Sequence, residues 1–136
     1  MPLPTTNVVF LTPFSPDAET VSRELACTSM RVHHATSLAQ AENLLELTQA
    51  HVLVAETIFA GGNWEDAVEL LSERHPNVAL VVTAAHADER LWAEAINRGA
   101  YDLIPKPFYG PELCRILESA NSYAIGPGAQ SMRAAS

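Results

Sequence analysis

The stretch Val78-Ala79-Leu80-Val81-Val82 is a run of consecutive apolar residues that ends at Thr83. A strand with one solvent-exposed face alternates apolar and polar residues, whereas a strand covered on both faces reads as a continuous apolar run. Similar runs occur at Val8–Leu11 and at Val52–Ala55, the latter ending at Glu56. These three runs predict the central strands of a parallel sheet with helices on both faces.

Two shorter segments, Met30–His34 and Tyr101–Ile104, complete the predicted strands. Helical patterns separate consecutive strands, and capping residues mark where they start and stop. The first helix has Ser15 as N-cap, Pro16 as first helical residue and Asp17, whose charge suits the positive helix start. The other signals are a Ser37/Gln40 capping box, the turn-rich loop Ala60–Asn63 before a helix that ends before Pro76, Asp88 with Gly99, and Pro111. Alternating strands and helices imply right-handed βαβ connections and a single three-layer α/β domain.

The composition is that of one folded domain with an acidic surface. The chain has 136 residues, of which 48% are hydrophobic and 18% charged, and this excludes a disordered protein. Lys and Arg number 8 against 16 Asp and Glu, giving a net charge of −8, which disfavours nucleic acid and anionic membranes as partners. We expect the domain to occupy residues 1–125 and the small-residue segment 126–136 to be a flexible tail.

The sequence also favours a cytoplasmic location. No apolar run approaches the length of about 20 residues that a membrane-spanning helix needs, and the N-terminus lacks the basic segment of a signal peptide. Cys27 and Cys114 are far apart, with no Cys-x-x-Cys motif and no disulfide framework.

Ligands of such sheets bind at the carboxyl ends of the strands. The residues at these ends include Thr12, Glu56, Thr83 and Lys106, and Lys106 is the chain's single lysine, held between two prolines. Because the strand ends meet at one edge, we expect the Lys106 ammonium to lie within salt-bridge reach of Glu56. The alternative, that Glu56 is a solvated carboxylate without a role, stays open.

The segment Gly99–Phe108 resembles the fifth-strand signature G-A-x-D-[YF]-[LI]-x-K-P-F of bacterial response-regulator receiver domains. Val81–Ala84 is similar to the fourth-strand hydroxyl motif of that family, and His51–Glu56 to its third strand. The resemblance covers residues 7 to 122. It implies a flavodoxin-like (βα)5 fold with strand order 2-1-3-4-5, and a signalling role.

The resemblance also implies roles for individual residues. Lys106 and Thr83 match the lysine and hydroxyl residue that contact the phosphoryl group in receivers, and Glu56 stands where the family has its phospho-accepting aspartate. Thr12 and Pro13 occupy the positions of the acidic pair that holds Mg²⁺, and Leu103 occupies the switch aromatic position. The Thr-Pro pair is a poor Mg²⁺ ligand set, so the resemblance is to an atypical receiver, or pseudo-receiver.

We therefore expect a non-enzymatic signalling domain that acts by protein contact without phosphorylation, metal or cofactor. The expected partner is a histidine kinase, a downstream signalling protein or a second copy of the chain. It would meet the face formed by the fourth helix, fifth strand and fifth helix. That face offers the apolar residues Trp92, Tyr101 and Leu103, with a polar rim of Arg90, Glu94 and Arg98.

Two other functions are considered. One is a conventional receiver that accepts a phosphoryl group. The other is a flavodoxin-like protein that binds FMN or a nucleotide. The second is disfavoured because Phe14-Ser15-Pro16 replaces the glycine-rich loop that would cradle a phosphate.

Overall fold

A five-stranded parallel sheet forms the centre of the computed structural model, which describes residues 5–126. Its strands are β1 (Thr6–Leu11), β2 (Met30–Ala35), β3 (Val52–Glu56), β6 (Ala79–Ala84) and β7 (Asp102–Pro105), and a separate antiparallel pair is formed by β4 (Ile58–Phe59) and β5 (Gly62–Asn63). The order in the main sheet is β2-β1-β3-β6-β7, with all neighbours parallel. Without the short pair this is the predicted order 2-1-3-4-5.

Helices cover both faces of the sheet, as predicted. In the described part of the chain they are α1 (Ser15–Glu24), α2 (Leu38–Thr48), α3 (Trp64–Arg74), α4 (Glu89–Arg98) and α5 (Gly110–Ile125). Buried residues of α2, α3 and α4 pack on one face of the sheet, and those of α1 and α5 pack on the other. The two apolar layers explain why the central strands lack alternation, because every residue of β3 and β6 is buried.

Several helix ends follow the sequence signals. The Ser37 side chain accepts a hydrogen bond from the Gln40 backbone N–H at 3.2 Å, and Asp88 accepts one from the Leu91 N–H at 2.8 Å. The predicted Ser37/Gln40 box is only half formed, because Gln40 Oε1 accepts from the Thr36 backbone N–H at 2.8 Å instead of from that of Ser37. Gly99 ends α4 in a left-handed conformation with φ of 112°, which a glycine adopts without steric cost.

Two local expectations were wrong. Ser15 is the first residue of α1 rather than its N-cap, and Phe14 takes the cap position without a side-chain hydrogen bond. The loop Ala60–Asn63 contributes β5, and Asn63 caps α3 by accepting from the backbone N–H groups of Glu65 and Asp66. The Asn63 cap could have been predicted from the sequence, because asparagine three residues before an aspartate is a capping pattern.

Beyond Gly126, the predicted tail lies outside the described residues. Within residues 5–126, no helix combines the length and hydrophobicity needed to cross a bilayer.

Candidate functional site at the carboxyl ends of the strands

The centre of the site is the Lys106 ammonium, which contacts two carboxylates. Its Nζ lies 2.9 Å from Glu56 Oε2 and 2.8 Å from Asp17 Oδ2. The exposed fraction of the side chain is 15% for Lys106, 7% for Glu56 and 26% for Asp17. The expected Lys106–Glu56 ion pair is therefore present, and it is largely shielded from water.

The sheet register places three of the site residues together. Glu56 ends β3 and lies opposite Thr83 of β6, whose hydroxyl donates a hydrogen bond to Glu56 Oε2 at 3.2 Å. Lys106 follows β7 directly, and its backbone N–H donates to the Ala84 carbonyl at 3.0 Å. The Lys106–Pro107 peptide bond is cis. Neighbouring strand ends thus supply the carboxylate, the hydroxyl and the ammonium.

Asp17 is a site residue that the sequence analysis missed. The sequence pattern assigns Asp17 only to the start of a helix, yet its carboxylate binds Lys106. The signal was the position of α1, because a helix that follows a strand begins at the edge where that strand ends. A carboxylate in its first turn can therefore reach residues at neighbouring strand ends.

Thr12 and Pro13 follow β1, at the positions where the sequence resemblance implies the acidic pair of receivers. Thr12 is fully buried, and its hydroxyl accepts a hydrogen bond from the Phe14 backbone N–H at 3.1 Å. Pro13 is exposed and has no side-chain ligand atom. Mg²⁺ prefers carboxylate oxygens and waters in octahedral geometry, and one oxygen of each nearby carboxylate already contacts the Lys106 ammonium.

An aromatic ring covers the ammonium. The Nζ of Lys106 lies 4.8 Å from the centroid of the Phe14 ring, within the range of a cation–π interaction. Phe14 itself is half exposed. The ring therefore separates part of the ammonium from solvent.

The pKa of Lys106 is raised above the ordinary value of 10.5. Burial alone would lower it, but the hydrogen bonds and negative charges of Asp17 and Glu56 outweigh that effect. Lys106 is consequently a permanent cation near neutral pH.

Leu103 and Tyr101 lie on different sides of the sheet. Leu103 is buried in the layer beneath α2, α3 and α4, whereas Tyr101 packs against the layer beneath α1 and α5. The Tyr101 ring lies 5.2 Å from that of Tyr123 on α5. Tyr101 precedes β7, so it does not follow the alternation of that strand.

Only some of the residues expected on the predicted contact face are exposed there. Trp92 is 49% exposed, and its indole N–H donates to Asp102 Oδ1 at 3.2 Å. Leu103 is only 7% exposed and is not available to a partner. Arg98 lies 3.1 Å from Glu65 of α3, so it is engaged on the α3 side rather than forming a free rim.

Away from the sheet edge, Glu42, Glu46 and His75 bring ligand-type atoms within 4.8 Å of one another. Glu42 is already paired there, at 3.0 Å with His75 and 3.4 Å with Arg74. These contacts join α2 to the end of α3. In β2, His33 contacts Asn7 Oδ1 at 3.0 Å and His34 contacts the Thr12 carbonyl at 2.9 Å.

No protein-family model matches the chain. Curated relatives include the nitrogen assimilation regulatory protein NtrX of Azorhizobium caulinodans, which is 38% identical over 71 residues, or 50% of this chain. The DNA-binding transcriptional regulator NtrC of Escherichia coli is 29% identical over 72 residues, or 53% of this chain. The matched stretches span only 16% of NtrX and 15% of NtrC.

Solved structures match over most of the chain. The signal receiver domain of an HD domain-containing protein from Pseudomonas fluorescens superposes with a TM-score of 0.78 at 18% identity, covering 88% of this chain and 97% of that one. The beryllofluoride-activated NtrC4 receiver domain dimer gives a TM-score of 0.78 at 19% identity, covering 87% and 98%. The chain therefore has the flavodoxin-like fold of response-regulator receiver domains.

Proposed function

We propose that this chain is a bacterial, cytoplasmic receiver-like signalling domain of a two-component or related pathway that acts by protein contact and without phosphorylation. The observation that carries the proposal is the three-charge cluster of Lys106, Glu56 and Asp17 at the place where receivers have their phosphorylation site. The fold and the matches to NtrX and NtrC support the signalling class.

The chemistry of the site argues against phosphoryl transfer. Receiver phosphorylation requires a metal ion to neutralise the charge that develops on the phosphoryl group. Here Thr12 and Pro13 supply no carboxylate, and the remaining acids are bound to the lysine. Glu56 also has a longer side chain than aspartate, so its oxygen would hold a phosphoryl group at a different position. A conventional receiver is the second candidate, and the Thr83–Glu56–Lys106 arrangement is the observation in its favour.

An ion pair that does not change with phosphorylation would hold the neighbouring contact surface in one conformation. Lys106 directly follows β7, and β7 packs against α4. We propose that the face of α4, β7 and α5 is the contact surface for a signalling protein or a second copy of this chain. Its exposed apolar anchor is Trp92, and Tyr101 and Tyr123 lie on its α5 side. A receiver domain among the structural matches is a dimer.

Nuclear magnetic resonance tests the phosphorylation-independent state. We expect the amide spectrum of the ¹⁵N-labelled chain to stay unchanged when acetyl phosphate and Mg²⁺ are added together. Addition of Mg²⁺ alone is the control for simple ion binding. Shifts at Glu56, Thr83 and Lys106 that need both reagents would favour the conventional receiver.

The contact face is tested by substituting Trp92. We expect Trp92→Ala to weaken self-association or capture of a purified cognate kinase by at least tenfold, because exposed tryptophans are common binding hot spots. Leu47 on α2 is 80% exposed and provides the matched control, Leu47→Ala. Equal behaviour of both folded variants and the parent would place the interface elsewhere.

A further inference from the structure

We propose that Lys106 is the resident cation of this site, and that its ammonium fills the place between Asp17 and Glu56 that a divalent metal ion would otherwise take. The inference deepens the proposed function and rests on it, since a site that carries its own cation does not use Mg²⁺. It also makes Asp17, rather than any residue directly after β1, the second carboxylate of the site.

The geometry places one cation between two anions from separate parts of the fold. Asp17 Oδ2 and Glu56 Oε2 lie 2.8 and 2.9 Å from Lys106 Nζ. These are the lengths of charge-assisted hydrogen bonds. Asp17 belongs to the first turn of α1 and Glu56 to the end of β3. The ammonium therefore links two elements that are distant from each other in the sequence.

The surroundings of the ammonium are complete without a metal. Thr83 donates to the same Glu56 oxygen that Lys106 contacts, and the Phe14 ring covers the ammonium. Across residues 5–126, every buried side-chain nitrogen or oxygen atom has a hydrogen-bond partner. A divalent ion that took the position of the ammonium would have to displace it from Asp17 Oδ2 and Glu56 Oε2.

Removal of the ammonium charge should allow a divalent metal ion to bind between Asp17 and Glu56. Two carboxylates would then face one position with no cation between them, and like charges at short distance disfavour joint ionisation. A pair of carboxylates with open water positions is a suitable ligand set for Mg²⁺ or Mn²⁺. The Lys106→Met variant keeps an unbranched, flexible side chain that is one atom shorter, and it loses the charge.

The test compares urea unfolding midpoints with and without Mn²⁺ for the parent, Lys106→Met and Lys106→Met/Asp17→Asn. We expect no Mn²⁺-dependent shift for the parent. For Lys106→Met we expect a higher midpoint, with a folding constant raised roughly tenfold when Mn²⁺ is ten times its dissociation constant. We expect Asp17→Asn to abolish that gain. A parent that responds like Lys106→Met, or a double variant that keeps the response, would overturn the inference.

A variant that fails to fold still gives an answer. If Lys106→Met is unfolded in metal-free buffer, recovery of its circular dichroism by Mn²⁺, and not by NaCl at equal ionic strength, supports the inference. Failure of Mn²⁺ to restore the fold overturns it. Phosphorylation of the parent chain by acetyl phosphate would instead contradict the proposed function, and it is read separately by mass, so the two failures are distinguishable.

Discussion

Glu56 is the most deeply buried charged group of the site, with 7% of its side chain exposed. Glu56→Gln would remove the negative charge while keeping the size of the side chain. We expect the free energy of unfolding to fall by about 1–3 kcal/mol, because Lys106 and Thr83 each lose a charged partner in a shielded position. Urea denaturation measures the change.

The matched control for Glu56 is Glu65, which pairs with Arg98 at 3.1 Å on the surface. Both of those side chains are more than a third exposed, so the pair contributes little to stability. Glu65→Gln should therefore leave the urea midpoint nearly unchanged. A Glu56→Gln midpoint as high as that of Glu65→Gln would show that the Lys106–Glu56 pair does not stabilise the fold.

Lys106 gives a prediction about alkaline stability. Its pKa is raised above 10.5 in the folded chain because the bonds to Asp17 and Glu56 outweigh burial. The folded state then keeps a proton that the unfolded chain releases, so this stabilisation is complete below pH 10.5 and is lost as the pH rises through the folded pKa. The difference in unfolding free energy between the parent and Lys106→Met should be constant at neutral pH and shrink above pH 10.5. A difference that persists unchanged at higher pH would contradict the ion pair.

At the scale of elements, Glu42 joins α2 to the end of α3. Its pKa is lowered from 4.5, chiefly by the hydrogen bond with His75 and further by Arg74, although burial acts in the opposite direction. A lowered carboxyl pKa contributes stability that is present above pH 4.5 and is lost as the pH falls through the folded pKa. The parent should therefore lose its advantage over Glu42→Gln when urea unfolding is measured below pH 4.5.

The control is Glu69→Gln, because Glu69 is exposed on α3 and lies outside the Glu42–Glu46–His75 cluster. We expect its unfolding free energy to fall with decreasing pH as that of the parent does. If Glu69→Gln and Glu42→Gln change this pH dependence alike, the effect belongs to the general charge of the domain and not to the contact between Glu42 and His75.

The elements themselves were largely predictable. Continuous apolar runs marked β3 and β6 because both are covered on two faces, and Asp88 and Gly99 marked the ends of α4 because caps act locally. The hairpin of β4 and β5 was not predicted. Its strands have two residues each and are too short to show a period.

For the whole molecule, the sheet order came from the resemblance and the structure confirmed it. The Lys106–Glu56 pair was predictable because Glu56 ends one parallel strand and Lys106 follows another, and the two strands end at one edge. Asp17 was not predicted, since it lies 89 positions from Lys106 and its local sequence is fully explained by the start of a helix. Phe14 was read only as an obstacle to phosphate binding, although its ring also covers the ammonium.

We propose above all that this site does not accept a phosphoryl group. The direct measurement is intact mass after incubation with acetyl phosphate and Mg²⁺, with the Thr12→Asp/Pro13→Asp/Glu56→Asp variant treated in parallel to restore the missing acids. We predict that the parent chain keeps its mass, whether or not the restored variant gains a phosphoryl group. A stoichiometric gain of one phosphoryl mass by the parent, lost in Glu56→Gln, would contradict the account.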